Sequence, residues 1–167
     1  VSNNTDLTVL FCLYNQLTSL DVSGCIALTH LQCVSNQLTS LNIYNDTALE
    51  ELWCWKNQLT SLDLSTNTAL TKLYLDENQL TSLPPEIGQL KNLEELYLIY
   101  NQLTSLPPQI GQLNNVCHLN LTENQLTSLY SEIDQLNELE LLVLTGNQLP
   151  SLPPEIGQLN NLHGLEL

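Results

Sequence analysis

The sequence predicts an α/β-type solenoid that is mostly β, in which short turns stack and one parallel sheet runs along one side. Two observations predict this fold: an eleven-residue pattern of leucines recurs seven times, and an asparagine stands at the same place in every copy. Repeats at a fixed period of about 20–50 residues are typical of arrays in which each unit contacts only its neighbours. With 167 residues, 43% of them hydrophobic, the chain can bury one continuous core. We therefore expect a single domain over residues 1–167.

The repeated pattern is L-x-x-L-x-[LC]-x-x-N-x-L. Its copies begin at Leu7, Leu28, Leu49, Leu70, Leu93, Val116 and Leu139. Its asparagines are 21 residues apart from position 15 to 78 and 23 residues apart from 78 to 147. The array therefore joins two repeat subtypes, with 21-residue repeats over about 7–69 and 23-residue repeats over about 70–161.

Each copy predicts a short strand at pattern positions four to seven. Because side chains alternate along a strand, positions four and six should point inward and positions five and seven outward. The inward positions hold only leucine or cysteine, as a core requires. The asparagine column follows the strand, where its amides can satisfy backbone groups that the turn removes from the sheet. We expect this column to be structural.

The return side of each repeat distinguishes the two subtypes. Segments such as Asp21-Val22-Ser23-Gly24 in the 21-residue repeats are too short and too rich in turn residues for a helix. The 23-residue repeats contain Leu-Pro-Pro-Glu-Ile-Gly-Gln-Leu at 83–90, where proline can start one 3₁₀ or α turn. The variant at 130–136 lacks the prolines but keeps the apolar spacing, so its turn should survive.

These residues resemble the leucine-rich repeat superfamily over essentially the whole chain. The first three repeats, with cysteine at position six, resemble the cysteine-ladder repeats of bacterial internalin J-like surface proteins. The later LPPEIGQL repeats are similar to those of many bacterial cytoplasmic and secreted proteins, including Roco-type GTPases. The resemblance implies a right-handed horseshoe with a concave parallel sheet and short convex turns, used mainly for protein recognition. The two subtypes point to different compartments, so localisation stays unknown.

The charge balance restricts the partners. Three lysines and no arginine stand against eighteen acidic residues, which gives a formal charge of −15. Phosphate backbones and anionic membrane surfaces should be repelled, so we expect no nucleic acid and no direct membrane binding, and a protein partner with a basic surface is favoured. Neither end carries a polar cap, which predicts that the segment belongs to a longer array and can self-associate.

No constellation of catalytic or metal-binding residues is found. Cys12, Cys33 and Cys54 occupy one inward position in successive turns and are expected to be buried free thiols, because in-register side chains point in parallel. The histidines at 30, 118 and 163 lie on separate turns and cannot converge on one metal or substrate. We therefore expect no enzyme activity, no catalytic residue, no metal and no cofactor.

The outward columns hold seven of the nine aromatic residues. They pack against each other across strands, or they form an exposed anchor for a partner, and the two explanations are compatible. The candidate partner-binding residues are Phe11, Tyr14, Trp53, Trp55, Lys72, Tyr74, Asp76, Tyr97 and Tyr100. The alternation Glu51, Lys72, Glu95 at position three predicts a ladder of surface ion pairs or a charged rim to this patch.

The sequence predicts a protein–protein interaction scaffold that binds its partner on the concave face. Two alternatives remain open. Aromatic rings beside Gln32, Asp76, Glu77 and Asn120 could bind a carbohydrate, or the segment could be a passive structural spacer.

Overall fold

The computed structural model describes residues 1–167 and contains one long parallel sheet. Its eight strands are β1 (Val9–Phe11), β3 (His30–Gln32), β5 (Glu51–Trp53), β6 (Lys72–Tyr74), β7 (Glu95–Tyr97), β8 (His118–Asn120), β9 (Leu141–Val143) and β10 (Gly164–Glu166). Two further strands, β2 (Leu20–Asp21) and β4 (Leu41–Asn42), form a small parallel sheet. The predicted mostly β solenoid is confirmed.

Successive strands of the long sheet align without slippage. Leu52 pairs with Leu73 across a 21-residue offset, and Leu73 pairs with Leu96 across a 23-residue offset. The two additional residues of the longer repeats are therefore accommodated outside the sheet. Because register is kept, every pattern position forms a straight column from turn to turn.

The strands lie at pattern positions three to five and so overlap the predicted positions four to seven only in part. Ladder hydrogen bonds continue past the strand ends, since Cys33 N–H donates to Trp53 O at 2.9 Å and Ser35 N–H donates to Trp55 O at 3.0 Å. Position eight takes the left-handed conformation, which turns the chain away from the sheet. The non-glycine residues with φ between 51° and 56° there are Tyr14, Ser35, Lys56, Glu77, Tyr100 and Glu123.

The core is formed by the inward columns, as predicted. Leu31, Cys33, Leu52 and Cys54 are all 0% exposed, within one cluster of 39 buried residues. Val34, at the outward position seven, is also buried, although it lies outside this core cluster. The residues at the same position in the adjacent turns, Leu13 and Trp55, have larger side chains.

The outward position-five column also contains a buried residue. Val143 is buried in β9, where its partners in register are Asn120 and Glu166. Its side chain is smaller than theirs. Outward direction therefore does not guarantee exposure at valine positions.

The asparagine column is the structural ladder that the sequence predicts. The Asn57 side-chain amide donates to Cys33 O at 3.0 Å and to Cys54 O at 3.1 Å, and its Oδ1 accepts from Leu38 N–H at 3.1 Å. Each amide thus ties its own turn to the preceding one and satisfies a backbone N–H there. The same arrangement recurs at Asn36, Asn78, Asn101, Asn124 and Asn147.

The return sides differ between the two subtypes as predicted. The 23-residue repeats carry one 3₁₀ helix each, at Pro85–Gln89, Pro108–Gln112, Ser131–Gln135 and Pro154–Gln158. The third forms without prolines, because Ile133 and Leu136 still bury their side chains. None of the helices is long and apolar enough to cross a membrane.

Polar groups are buried on the return side of the 21-residue repeats. Cys25, Asp46 and Asn67 occupy equivalent places in three consecutive turns, and each is 0% exposed. The Asn67 amide donates to Ile43 O at 3.0 Å and to Asp46 O at 3.1 Å. Both carboxylate oxygens of Asp46 lack a hydrogen-bond partner.

Candidate binding face

Three aromatic rings form a continuous ladder on the outward side of β5, β6 and β7. Trp53 and Tyr74 meet edge to face with ring centroids 5.2 Å apart, and Tyr74 and Tyr97 do the same at 5.0 Å. Direct register of the three residues across adjacent strands produces this contact. We call these three residues the aromatic ladder. Each ring is only partly buried, so the ladder presents apolar surface to solvent as well as packing internally.

A charged network holds the middle of the ladder. The Tyr74 hydroxyl donates to the Glu95 carboxylate. Lys72 Nζ lies 3.8 Å from Glu95 Oε1 and 3.7 Å from Glu51 Oε1, which is the ion-pair ladder that the alternating charges predict. Burial, and then the hydrogen bond to Glu95, raises the pKa of Tyr74, so its hydroxyl stays protonated. The Tyr74 ring is therefore fixed before any partner arrives.

Trp53 is less well satisfied than Tyr74. Its indole Nε1 is buried without a hydrogen-bond acceptor. An unsatisfied buried donor costs about 1–3 kcal/mol, which a phenylalanine ring at the same place would not incur. The indole N–H of Trp53 is thus a donor that no group of the chain uses.

A second charged group lies beside Trp55. Lys56 Nζ is 5.3 Å from the centre of the Trp55 ring and 3.5 Å from Glu77 Oε1. This lysine covers part of the indole while keeping its charge in solvent. Trp55 is consequently half-buried by its own neighbours.

Asp76 has a structural role that the sequence did not indicate. Its Oδ1 accepts a hydrogen bond from Ile99 N–H at 2.7 Å and so links two adjacent turns. Burial raises the pKa of Asp76 to about 6, and the Ile99 amide acts in the opposite direction. One of its oxygens is thereby occupied within the chain.

The predicted residues separate into two groups. Trp53, Trp55, Lys72, Tyr74, Asp76, Tyr97 and Tyr100 lie on three adjacent turns. Phe11 and Tyr14 lie on the first turn, two strands from Trp53 and roughly 10 Å away. The most exposed aromatic side chains are Tyr14 at 74%, Tyr100 at 57% and Phe11 at 56%. The orphan indole N–H and the Tyr74–Glu95 bond are the features that residue types alone could not reveal.

The cysteines and histidines do not form a second site. Cys33 and Cys54 are buried free thiols with their sulfur atoms 3.1 Å apart, and the hydrogen bond between them, together with burial, raises the pKa of Cys54. His30 and His118 stand in strands separated by three others in the sheet. The chain has no group of His, Cys, Asp and Glu arranged to hold a metal ion.

Comparison with known families agrees with the repeat geometry. The family model for "Leucine Rich repeats (2 copies)" matches residues 47–85 and 68–115. The chain belongs to the leucine-rich repeat superfamily. No curated protein matches the sequence significantly.

Several solved leucine-rich repeat structures superpose on the array. One is a leucine-rich repeat protein of Leptospira interrogans, with 40% identity and a TM-score of 0.88 over 92% of this chain and 41% of the other. The functional domain of InlJ of Listeria monocytogenes, which includes a cysteine ladder, is 30% identical with a TM-score of 0.76 over 97% of this chain and 39% of the other. These relatives confirm that the repeats of this chain resemble bacterial leucine-rich repeats, including those of internalin J.

A plant protein shows how widely the fold extends. The peptide hormone receptor RGFR1, solved in complex with RGF2, is 32% identical with a TM-score of 0.84 over 97% of this chain and 28% of the receptor. The array thus spans less than half the length of each of these three relatives.

Proposed function

We propose that this leucine-rich repeat array is a protein-interaction scaffold whose partner binds the concave face across β5, β6 and β7. The observation that carries the proposal is the aromatic ladder, three partly exposed rings that the core does not need. Exposed Tyr and Trp clusters are typical anchors of interfaces. The plant receptor, a leucine-rich repeat relative that holds a peptide hormone, supports a peptide or protein partner.

The partner's surface should be basic. Lys72 is already paired with Glu51 and Glu95, and Lys56 with Glu77, so the lysines of this face are engaged within the chain. The remaining charge of the chain is strongly negative, −15 in total. A partner with lysine or arginine side chains gains favourable electrostatics and faster association, and both decrease as salt is added.

The preformed geometry lowers the cost of binding. The Tyr74 ring is held by its neighbours and by Glu95, so little side-chain entropy is lost there when a partner docks. Tyr100 is more exposed and supplies adjustable contact area at the rim. We place Phe11 and Tyr14 in the same interface only for a partner long enough to cross the intervening strand.

A carbohydrate on this same face has weaker support. Asp76 Oδ1 is occupied by Ile99 N–H, and Asn120 Oδ1 accepts from the backbone N–H and the hydroxyl of Thr122. Polar groups that were proposed to hold a sugar are therefore partly used within the chain. A glycan array with the wild type and with a Trp53→Ala, Trp55→Ala, Tyr97→Ala protein distinguishes a carbohydrate partner from a protein partner.

The test is capture of partners by three matched proteins. The first is the wild type; the second carries Trp53→Ala, Trp55→Ala and Tyr97→Ala; the third carries Tyr44→Ala and Tyr130→Ala, which remove exposed rings outside the concave columns. Circular dichroism first establishes that all three fold. We expect a protein to be captured by the wild type and the third protein but not by the second, and its binding to weaken with salt. Equal capture by all three would show that the ladder only packs, as a passive spacer requires.

A further inference from the structure

One acidic side chain of the concave face, that of Asp76, lacks a cationic partner within the chain. The chain has only three lysines and no arginine. Lys56, one turn before Asp76, and Lys72, in the same turn, are both paired with glutamates. Lys91 lies outside the concave columns, and its Nζ donates to Gln112 O at 2.9 Å. Every lysine of the chain is therefore engaged elsewhere.

The surroundings of Asp76 make the missing cation costly. Its side chain is partly buried, and burial raises its pKa to about 6. The backbone amides of Ile99 and of Asp76 itself act in the opposite direction but carry no charge. The Ile99 N–H bond is the one hydrogen bond that the carboxylate accepts from another residue, and no side chain donates to it. A charged donor from outside the chain would favour the ionised carboxylate and offset its burial.

Aromatic rings border Asp76 on the outward side of the sheet. Trp55 holds the same pattern position in the preceding turn, and Lys56 N–H joins the two turns by donating to Asp76 O at 2.9 Å. Tyr74 lies two residues before Asp76 and therefore points to the same side. Tyr97 pairs with Tyr74 in register, with ring centroids 5.0 Å apart. Partly exposed rings on the preceding, the same and the following turn thus lie next to one carboxylate.

A carboxylate bordered by aromatic rings is suited to a guanidinium group. A guanidinium is always charged, is more weakly hydrated than an ammonium and stacks on aromatic faces. Its planar fork of N–H donors can reach a carboxylate while the plane lies against a ring. A metal ion fits less well, because the chain has no group of His, Cys, Asp and Glu arranged to hold one. The complementary group on a partner is therefore an arginine side chain.

We propose that Asp76 is the specificity-determining residue of the concave face and binds an arginine side chain of the protein partner, next to Trp55, Tyr74 and Tyr97. This inference rests on the protein-binding role proposed above and adds the residue type that the partner must present.

Asp76 acts on specificity because its charge is already partly removed from water. A partner that covers it with a neutral side chain buries an unpaired charge, which opposes binding. A partner that brings an arginine pairs this charge and keeps the aromatic contacts as well. The rings of the aromatic ladder supply apolar contact that many partners can make. Asp76 therefore selects among the partners that the ladder would otherwise accept.

Asp76→Asn separates the charge of this side chain from its structural role. An amide keeps an oxygen for the Ile99 N–H bond, which is 2.7 Å long in the wild type, and removes only the negative charge. The matched control is Glu123→Gln, which removes one negative charge from an exposed side chain two turns further along the same face. Circular dichroism and the NMR signal of the Ile99 amide establish that both variants keep the wild-type structure.

The probes are capped tripeptides, acetyl-Gly-X-Gly-amide, in which X is arginine, lysine or citrulline, an uncharged isostere of arginine. NMR follows binding through the Ile99 amide and the two indole N–H signals, at constant ionic strength. We expect the arginine peptide to bind the wild type with a dissociation constant on the order of 1–10 mM, because it makes one charge-assisted contact and one ring contact. Asp76→Asn, or citrulline in place of arginine, should weaken binding at least about tenfold. Glu123→Gln should change it by less than about twofold.

The proposal is overturned if the arginine peptide binds no more tightly than the citrulline or the lysine peptide, or if Asp76→Asn and Glu123→Gln weaken its binding equally. The capture experiment on the aromatic ladder is a separate measurement. A partner captured through the rings, together with failure of the arginine peptide, would remove only the role assigned to Asp76. Binding of the arginine peptide at Asp76, together with equal capture by all three proteins, would instead count against the scaffold role.

Discussion

Replacing Asp46 with asparagine should stabilise the array above neutral pH. Asp46 is 0% exposed, and its carboxylate lies near the backbone amides of Gly24 and Cys25 without making a hydrogen bond of normal geometry. One turn later Asn67 occupies the equivalent place and donates to Ile43 O at 3.0 Å and Asp46 O at 3.1 Å. By the 21-residue repeat, we expect an amide at position 46 to reach the carbonyls of Val22 and Cys25. An ionised carboxylate cannot donate to them, whereas an amide can.

The magnitude follows from the pKa of Asp46. Burial raises this pKa from 3.8 to about 6, and the backbone amides of Cys25 and Gly24 only partly oppose the shift. The folded pKa is above the unfolded one, so the folded state binds the proton more tightly and loses stability as pH rises from about 4 to 6. A difference of about 2 units corresponds to about 3 kcal/mol once both states are ionised, and to about half of that near pH 5.

Urea denaturation followed by circular dichroism at about pH 8 and about pH 5 measures this effect. We expect Asp46→Asn to gain about 3 kcal/mol at the higher pH, which is about 6–12 °C in melting temperature, and about half as much at the lower pH. The control, Asp63→Asn, removes the same charge from an exposed aspartate whose pKa is lowered by hydrogen bonds from Ser65. It should give no such gain. The reasoning would be refuted if Asp46→Asn gave no gain in the free energy of unfolding, or a gain that does not change with pH.

Three other outcomes can be checked with the same protein. Asn57→Ala leaves Cys33 O, Cys54 O and Leu38 N–H without their hydrogen bonds to the asparagine amide. This change should lower the free energy of unfolding by about 2–4 kcal/mol. Asn15→Ala, at the exposed first turn, should lower it much less. Tyr100→Gly should raise the free energy of unfolding by about 0.5–1 kcal/mol, and with it the urea midpoint, because φ is 52° at that residue. A lower midpoint would mean that contacts of the tyrosine ring outweigh the backbone strain. Leu165 and Leu167, 40% and 68% exposed, should promote self-association, so light scattering should show mass increasing with concentration in the wild type and less in Leu167→Lys. A monomer at every concentration would contradict that last expectation.

The periodic features of the fold could be predicted from sequence because each repeat confirms the others. The inward leucine columns, the asparagine ladder and the 3₁₀ turn at Ser131–Gln135 all follow from spacing that recurs along the chain. The ion pairs of Lys72 with Glu51 and Glu95 followed from fixed register, which puts equal pattern positions side by side. A spacing that would be weak evidence in one repeat thus becomes a reliable predictor of structure because it recurs in every repeat.

What the sequence did not reveal depends on backbone conformation and on burial that residue type does not mark. The chain turns in the left-handed conformation at position eight, yet Tyr14, Lys56 and Tyr100 there are not residues that indicate positive φ. Val34 is buried although its place in the repeat is an outward one. Asp46 belongs to a buried column whose members are polar, so hydrophobicity does not mark it.

Repetition along the chain tells us different things about the fold and about the candidate binding surfaces. A column that is constant along the array is required by every turn, or it is exposed surface with no use within the chain. The asparagine column is of the first kind, because its amides bond to the backbone in successive turns. The Gln, Thr and Ser columns that follow it are of the second kind, since their exposed side chains make no hydrogen bond within the chain. Columns that vary, such as the one containing Trp53 and Tyr97, can encode a single non-repeating surface instead. Variation across repeats, combined with the hydrogen bonds that each column makes, therefore distinguishes the columns that build the scaffold from those that are candidates for binding one partner.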